Sequence, residues 1–344
     1  LRRTRLRQVF WWASIVATVR SRVRNARWHR RFLVPFRAQH SFLRRLGTRE
    51  LAPTASPSAS RHRSLLLHEC PYFKQPPSQL GDYSKLEEIG RGGQAVVYRG
   101  LDSSGQAFAL KVCCTCVGCR ARFAGQSLER FQREIRILGE VKHPNVIQLV
   151  TSSRTSDCEY FVMPLGADNL AVLDGGSDPR SRLPLDEVMV VLTSLAKALA
   201  ALGDVGGQAV VHRDVQPGNV LYDPKTRTVL LIDFGIAKFA NECGETGPGD
   251  AMGRPRFMAP EQDGWADRTT PAADVWAFGG LIRWLVAGVD QPRQYRPRDI
   301  DLEASEVARE LTLELLALAE RCMLRYEPIP DGMPEPAAGA IKTG

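Results

Sequence analysis

Apolar residues recur along this chain in two successive rhythms. Leu86–Ile89, Val96–Gly100 and Phe108–Cys113 are short runs of branched and aromatic residues separated by glycine-containing turns, a composition that predicts strands. Ser127–Val141 then carries Leu128, Phe131, Ile135 and Leu138 at three- and four-residue intervals, which predicts a helix with one apolar face. Val146–Val150 and Tyr160–Met163 predict two more strands. Beyond them the spacing turns helical, over Leu185–Leu202, Ala273–Val286 and Glu306–Leu324. The expected architecture is α+β, a small β-rich lobe with one helix followed by a larger, mainly helical lobe. No internal repeat interrupts it.

Residues before about 80 follow neither rhythm. Arg2 to Arg49 holds many arginines and no acid, and Leu51 to Gln79 is rich in Pro, Ser and Ala, a texture that favours a linker without a packed core. The expected division is therefore a basic arm over 1–82, a folded domain over 83–328 and a short tail over 329–344. An Arg-rich, acid-poor start is similar to an organelle transit peptide. A cytoplasmic location is the expectation, with organelle import instead if the arm is a genuine leader. The opening residue is Leu, which also leaves a fragment or a gene-model extension open.

Charge sharpens this division. The net charge is +8, but residues 1–80 hold 17 Lys and Arg against 2 Glu, leaving 29 basic and 36 acidic residues for 81–344. The body is acidic, which argues against nucleic acid as its partner. The longest apolar stretch, Val9 to Val19, is too short for a membrane span, so no transmembrane segment is expected. Of the eight cysteines, four crowd into Cys113–Cys119. That layout is unlike a secreted disulfide framework and suits a reducing compartment. Cys116 and Cys119 have metal-ligand spacing, but a full site needs four ligands; a loop of reduced thiols is the simpler expectation.

The chemistry lies in the folded body. Ile89-Gly90-Arg91-Gly92-Gly93-Gln94-Ala95-Val96-Val97 joins two predicted strands through glycines that let a backbone approach phosphates. Phe108-Ala109-Leu110-Lys111 is a strand ending in a lysine, and a buried ammonium needs a carboxylate. Glu134 on the following helix is placed to supply it. Val211-His212-Arg213-Asp214-Val215-Gln216-Pro217-Gly218-Asn219-Val220-Leu221 is followed, at position 233, by Asp233-Phe234-Gly235. Three oxygen-bearing side chains in strand-end loops, Asp214, Asn219 and Asp233, suit Mg²⁺ and phosphate. Phe257-Met258-Ala259-Pro260-Glu261 and Asp274-Val275-Trp276-Ala277-Phe278-Gly279 come later.

In this order and at this spacing, the motifs resemble the eukaryotic-type protein kinase domain, serine/threonine branch, over roughly Tyr83 to Leu324. The resemblance implies a bilobal fold with a hinge at 164–166, and an enzyme that moves the γ-phosphoryl group of ATP, with Mg²⁺, to a protein hydroxyl. It implies that Ile89, Gly90 and Gly92 lie over the nucleotide, that Lys111 binds its α- and β-phosphates held by Glu134, and that Val97, Ala109 and Leu221 sandwich the adenine. Met163 would stand before the hinge, Asp214 would take or orient the substrate proton, and Asn219 and Asp233 would hold the metal. Thr246, the only Ser, Thr or Tyr between Gly235 and Glu261, is the site available to an upstream activating kinase. Oligomeric state is left open.

The sequence departs from the family at four places. Ala95 replaces the third glycine of the phosphate loop. Gln216 replaces a lysine that donates to the γ-phosphate. Gly253-Arg254 stands where the branch has Gly-Thr, and no arginine follows Leu324 in register to pair with Glu261. The last three, Gln216, Arg254 and the missing arginine, support an alternative, a weak or inactive pseudokinase that binds ATP as a scaffold or allosteric module. A non-kinase ATPase fits poorly, because no Walker Gly-Lys-Ser/Thr element is present.

Overall fold

The computed structural model describes residues 75–92, 95–115, 126–173, 183–239, 257–262, 270–287 and 306–324. Residues 1–74 of the arm, the Cys116–Cys119 pair, Thr246, Gly253, Arg254 and the residues after Leu324 lie outside them.

The first lobe is a six-stranded antiparallel sheet: β1 (Gln79–Leu80), β2 (Tyr83–Arg91), β3 (Val96–Leu101), β4 (Ala107–Cys114), β5 (Thr151–Arg154) and β6 (Cys158–Pro164), in the order β1-β2-β3-β4-β6-β5. Local chemistry sets the β3–β4 turn. Asp102 Oδ1 accepts hydrogen bonds from the backbone N–H groups of Ser104 and Gln106, both at 2.9 Å, and Gly105 takes φ +85°, a region where only glycine is unstrained. Residue alternation then gives the sheet two apolar faces. Val96, Tyr98, Leu110, Val112, Cys114, Cys158, Tyr160 and Val162 pack together on one. Cys113 and Phe161 belong to the other, with Phe131 of helix α1 (Gln126–Glu140), the rings of Phe131 and Phe161 lying 5.3 Å apart. Gln132 Nε2 ties α1 to β6 by donating to both carboxylate oxygens of Glu159, at 3.0 and 3.1 Å.

Val146–Val150 does not form the strand its apolar run predicts. Val146 makes only an isolated parallel bridge to Leu231. Val146 and Ile147 are buried as core anchors, whereas Val150 is 48% exposed. The strand forms one step later, over the polar, exposed β5. It is an edge strand held by backbone pairing to β6, so no apolar alternation marks it in the sequence.

The second lobe is built on α2 (Leu170–Leu173), α3 (Leu185–Ala201), α4 (Ala272–Ala287) and α5 (Glu306–Leu324), with short strands β7 (Val210–Val211), β8 (Val220–Asp223), β9 (Thr228–Leu231) and β10 (Lys238–Phe239). Asp186 and Glu187 sit in the first turn of α3, where negative charge suits the helix dipole. Helix α4 is buried from Ala272 through Ile282, as expected of a helix apolar on all sides. It meets α5 at Gly279, where an added Cβ would lie 2.8 Å from Cys322 Cβ and 2.9 Å from Ala319 O. Strands β8 and β9 form one hairpin and β7 pairs with β10; Asp233, just beyond β9, bonds Lys111 of the first lobe. Among the described residues, no helix is long and apolar enough to cross a membrane.

Candidate active site

Strand register brings the sequence-singled residues of the first lobe together. Gly90 pairs with Val97, Val97 with Lys111, and Ala109 with Met163. Gly92 closes its loop by donating its N–H to Ala95 O at 2.9 Å. Ile89 lies exposed near the end of β2. From the other lobe, Leu221 lies so close to Gly166 that a Cβ there would stand 2.1 Å from Leu221 Cδ1.

Lys111 Nζ donates at 2.8 Å to Oε1 and to Oε2 of Glu134, and at 2.8 Å to Oδ1 of Asp233. Burial pulls the ammonium's pKa down, but the two carboxylates outweigh it and hold Lys111 above its usual value, charged. Burial pushes the Glu134 carboxyl up, opposed by Lys111. The Lys111 charge holds Asp233 below the ordinary carboxylate range. Three elements are thereby joined: β4, α1 and the segment after β9. Phe234 reinforces the joint. Its N–H donates to Glu134 Oε1 at 3.2 Å, and its buried ring meets His212 edge-on, with centroids 4.7 Å apart.

The segment from His212 to Asn219 is shaped by its own side chains. His212 Nδ1 accepts from the Asp214 N–H at 3.3 Å, so Nε2 carries the proton and donates to Ile232 O at 3.0 Å. Burial depresses the His212 pKa, which keeps the ring neutral in this role. Gln216 precedes the 3₁₀ turn Pro217–Asn219, which aims two side-chain amides at one carboxylate. Gln216 Nε2 donates to Asp214 Oδ1 at 2.7 Å, and Asn219 Nδ2 donates to Asp214 Oδ2 at 2.8 Å and to its backbone oxygen at 2.9 Å.

The donor set fits Mg²⁺. Asn219 spends its amide nitrogen on Asp214, which leaves its carbonyl oxygen as a hard ligand. Asp233 uses Oδ1 for Lys111 and for the Gly235 N–H, and its side chain is 47% exposed. The backbone N–H of Ile232 donates to Asn219 O at 3.0 Å, fixing the two segments to each other. Among the described residues, no group of three His, Cys, Asp or Glu could hold a metal by itself.

Two supporting residues carry no role in the sequence reading. Buried Asp274, at the start of α4, accepts the N–H of His212 on Oδ2 and that of Arg213 on Oδ1, both at 2.8 Å. Arg213 sits at φ +70° and Asp233 at φ +63°, conformations costly for residues with a Cβ. Gln262 Nε2 donates to Arg213 O at 2.9 Å, and its Oε1 accepts the Ala259 N–H at 3.0 Å. The signal for Asp274 was present, as an acid opening an otherwise apolar helix. Gln262 had none beyond its adjacency to Glu261.

Comparison with known proteins gives the same picture. The profile of the protein kinase domain matches residues 83–315. The PknK serine/threonine-protein kinase of Mycobacterium bovis is 33% identical over 278 residues, covering 77% of this chain and 22% of that protein. The DNA damage-responsive serine/threonine-protein kinase RqkA of Deinococcus radiodurans is 32% identical over 263 residues, 69% of this chain and 36% of its own length. A probable serine/threonine-protein kinase, PknB of Lactococcus lactis, is 30% identical over 210 residues, 60% of this chain and 31% of its own. The match thus spans between 22% and 36% of these relatives' lengths.

Proposed function

Because the chain belongs to the protein kinase family, we propose that it transfers the γ-phosphoryl group of Mg-ATP to serine or threonine hydroxyls of protein substrates. One observation carries this reading: the bonding of Lys111 to both Glu134 and Asp233. It holds the cation that would meet the α- and β-phosphates beside the carboxylate that would hold metal.

Each residue then has a part. Ile89, Gly90 and Gly92 cover the nucleotide, and Val97, Ala109, Met163 and Leu221 enclose its base. Asn219 and Asp233 hold Mg²⁺, which when bound neutralises charge on the transferring phosphate. Asp214, its carboxylate fixed by two amides, receives or orients the substrate hydroxyl proton. Regulation by an upstream kinase acting on Thr246 belongs to the same reading.

A second reading, a weak or inactive nucleotide-binding module, draws on Gln216. Its neutral amide is committed to Asp214 and brings no charge to the γ-phosphate, so electrostatic stabilisation is lost there. Both readings require nucleotide binding. At about a hundredfold excess over Kd, Mg-ATP should raise the melting temperature by about 5–10 °C, because it binds only the folded state. No shift at millimolar Mg-ATP would count against both.

A further inference from the structure

The cysteines most prominent in the sequence, Cys113 to Cys119, conceal a pair that only the fold reveals. Cys114, the last residue of β4, stands directly opposite Cys158, the first residue of β6. Two backbone bonds define the kind of pairing. Thr115 N–H donates to Asp157 O at 2.7 Å, so the neighbouring 115–157 pair is the hydrogen-bonded one. Thr155 N–H donates to Cys158 O at 2.8 Å, so the polar groups of Cys158 face β5. Cys114 and Cys158 are therefore a non-hydrogen-bonded pair, in which Cα atoms approach to about 4.5 Å and side chains lie closest. That separation falls within the range a disulfide spans. Both side chains project from the same face, into the apolar cluster with Tyr98 and Tyr160; neither is in a disulfide, and Cys158 Sγ lies 3.2 Å from Thr155 Oγ1.

We propose that Cys114 and Cys158 are a redox-responsive pair that closes into a cross-strand disulfide when the chain meets an oxidising low-molecular-weight disulfide. The Cys114 thiol, 8% exposed against 0% for Cys158, attacks the small disulfide RSSR, gives up its proton and expels RSH. Cys158 then attacks the mixed disulfide and expels the second RSH. Two protein thiols are oxidised and one RSSR is reduced to two RSH, so atoms and electrons balance. Access comes from the sheet end, where the turn residues Thr155, Ser156 and Asp157 are exposed. Cys113, though adjacent, does not compete: it points to the opposite face among Phe131 and Phe161, and burial pushes its thiol up to about 11.

The bond would enclose residues 115–157, and with them all of α1, the helix that carries Glu134. It would also clasp the far end of the two strands that present Lys111 and Met163. Oxidation should therefore stiffen the first lobe from the end of its sheet without touching Lys111 or Met163.

The test treats the folded full-length chain with graded ratios of oxidised to reduced glutathione and maps peptides without reduction. The expected product is one peptide pair joining Cys114 to Cys158, with the loss of two hydrogens. The melting temperature should rise by about 3–8 °C, reverse with dithiothreitol, and stay unchanged in Cys114→Ser and in Cys158→Ala. Glutathione retained as a mixed disulfide on single cysteines, a cross-link through another cysteine, or stoichiometric bonding with no change in melting temperature would each overturn the proposal. None of these readouts depends on phosphoryl transfer, so the proposal stands or falls separately from the kinase reading.

Discussion

Replacing Asp274 with Asn probes the support beneath the site. The buried carboxylate accepts two backbone N–H groups at 2.8 Å, from His212 and Arg213. An amide keeps one acceptor and turns its NH₂ toward the other donor. One hydrogen bond to a charged group is lost, about 1.5–3 kcal/mol, and a buried N–H is left unmet, about 1–3 kcal/mol. Arg213 sits at φ +70°, so loosening its N–H also releases backbone strain of about 1–3 kcal/mol, which offsets part of the loss. Relief from burying a charge offsets more, since burial already raises the Asp274 pKa. The net loss should be about 2–3 kcal/mol, against a typical total of about 5–15 kcal/mol. Urea unfolding followed by fluorescence of Trp276 and Trp284, both on α4, reads it directly. Turnover should fall while KM for ATP holds, because Arg213 leads into Asp214 and the nucleotide contacts lie elsewhere. A change below about 0.5 kcal/mol with normal turnover would refute the account of how this loop is held.

Lys111→Met should abolish phosphoryl transfer and Glu134→Gln should reduce it less, since the glutamate only holds the lysine; equal activity in wild type and Lys111→Met would point to a contaminating kinase. Gln216→Lys replaces a neutral donor with a charged one near the γ-phosphate, so kcat should rise by about tenfold, roughly one charge-assisted contact, and a fall would show that the amide itself is required. His212 is neutral and its folded pKa is depressed below 6.5, so its contribution is complete above pH 6.5 and is lost as pH falls toward the folded value. The stability gap between wild type and His212→Phe, measured by urea unfolding, should therefore narrow between pH 7.5 and 5.5, by up to about 1.4 kcal/mol per pH unit; a constant or widening gap would contradict a neutral buried ring.

Much of the fold was legible because its signals are local. Helix α5 was expected over Glu306–Leu324 and occupies those residues, as its apolar spacing requires. Helix α1 was placed within one residue at each end. Strand β5 was not legible, since a polar edge strand owes its existence to β6 and not to its own side chains. The Lys111–Glu134 pair could be anticipated because a buried strand lysine needs a carboxylate and the next helix offers one. The Gln216 amide on Asp214 could not, because the sequence shows a missing charge and only the 3₁₀ turn shows where the replacement side chain goes. Asp274 stood out as an acid in an apolar helix, but Gln262 and the Cys114–Cys158 pairing join segments far apart in the chain, and no local pattern encodes such distances.

Incubating the chain with γ-labelled ATP, Mg²⁺ and a generic protein substrate beside an Asp214→Asn control shows whether this site moves phosphate. Label should appear on serine or threonine of the substrate and be lost in the control while Mg-ATP binding persists. Binding of Mg-ATP with no label transferred by the wild type, under conditions where an unrelated active kinase labels the same substrate, would contradict phosphoryl transfer by this site.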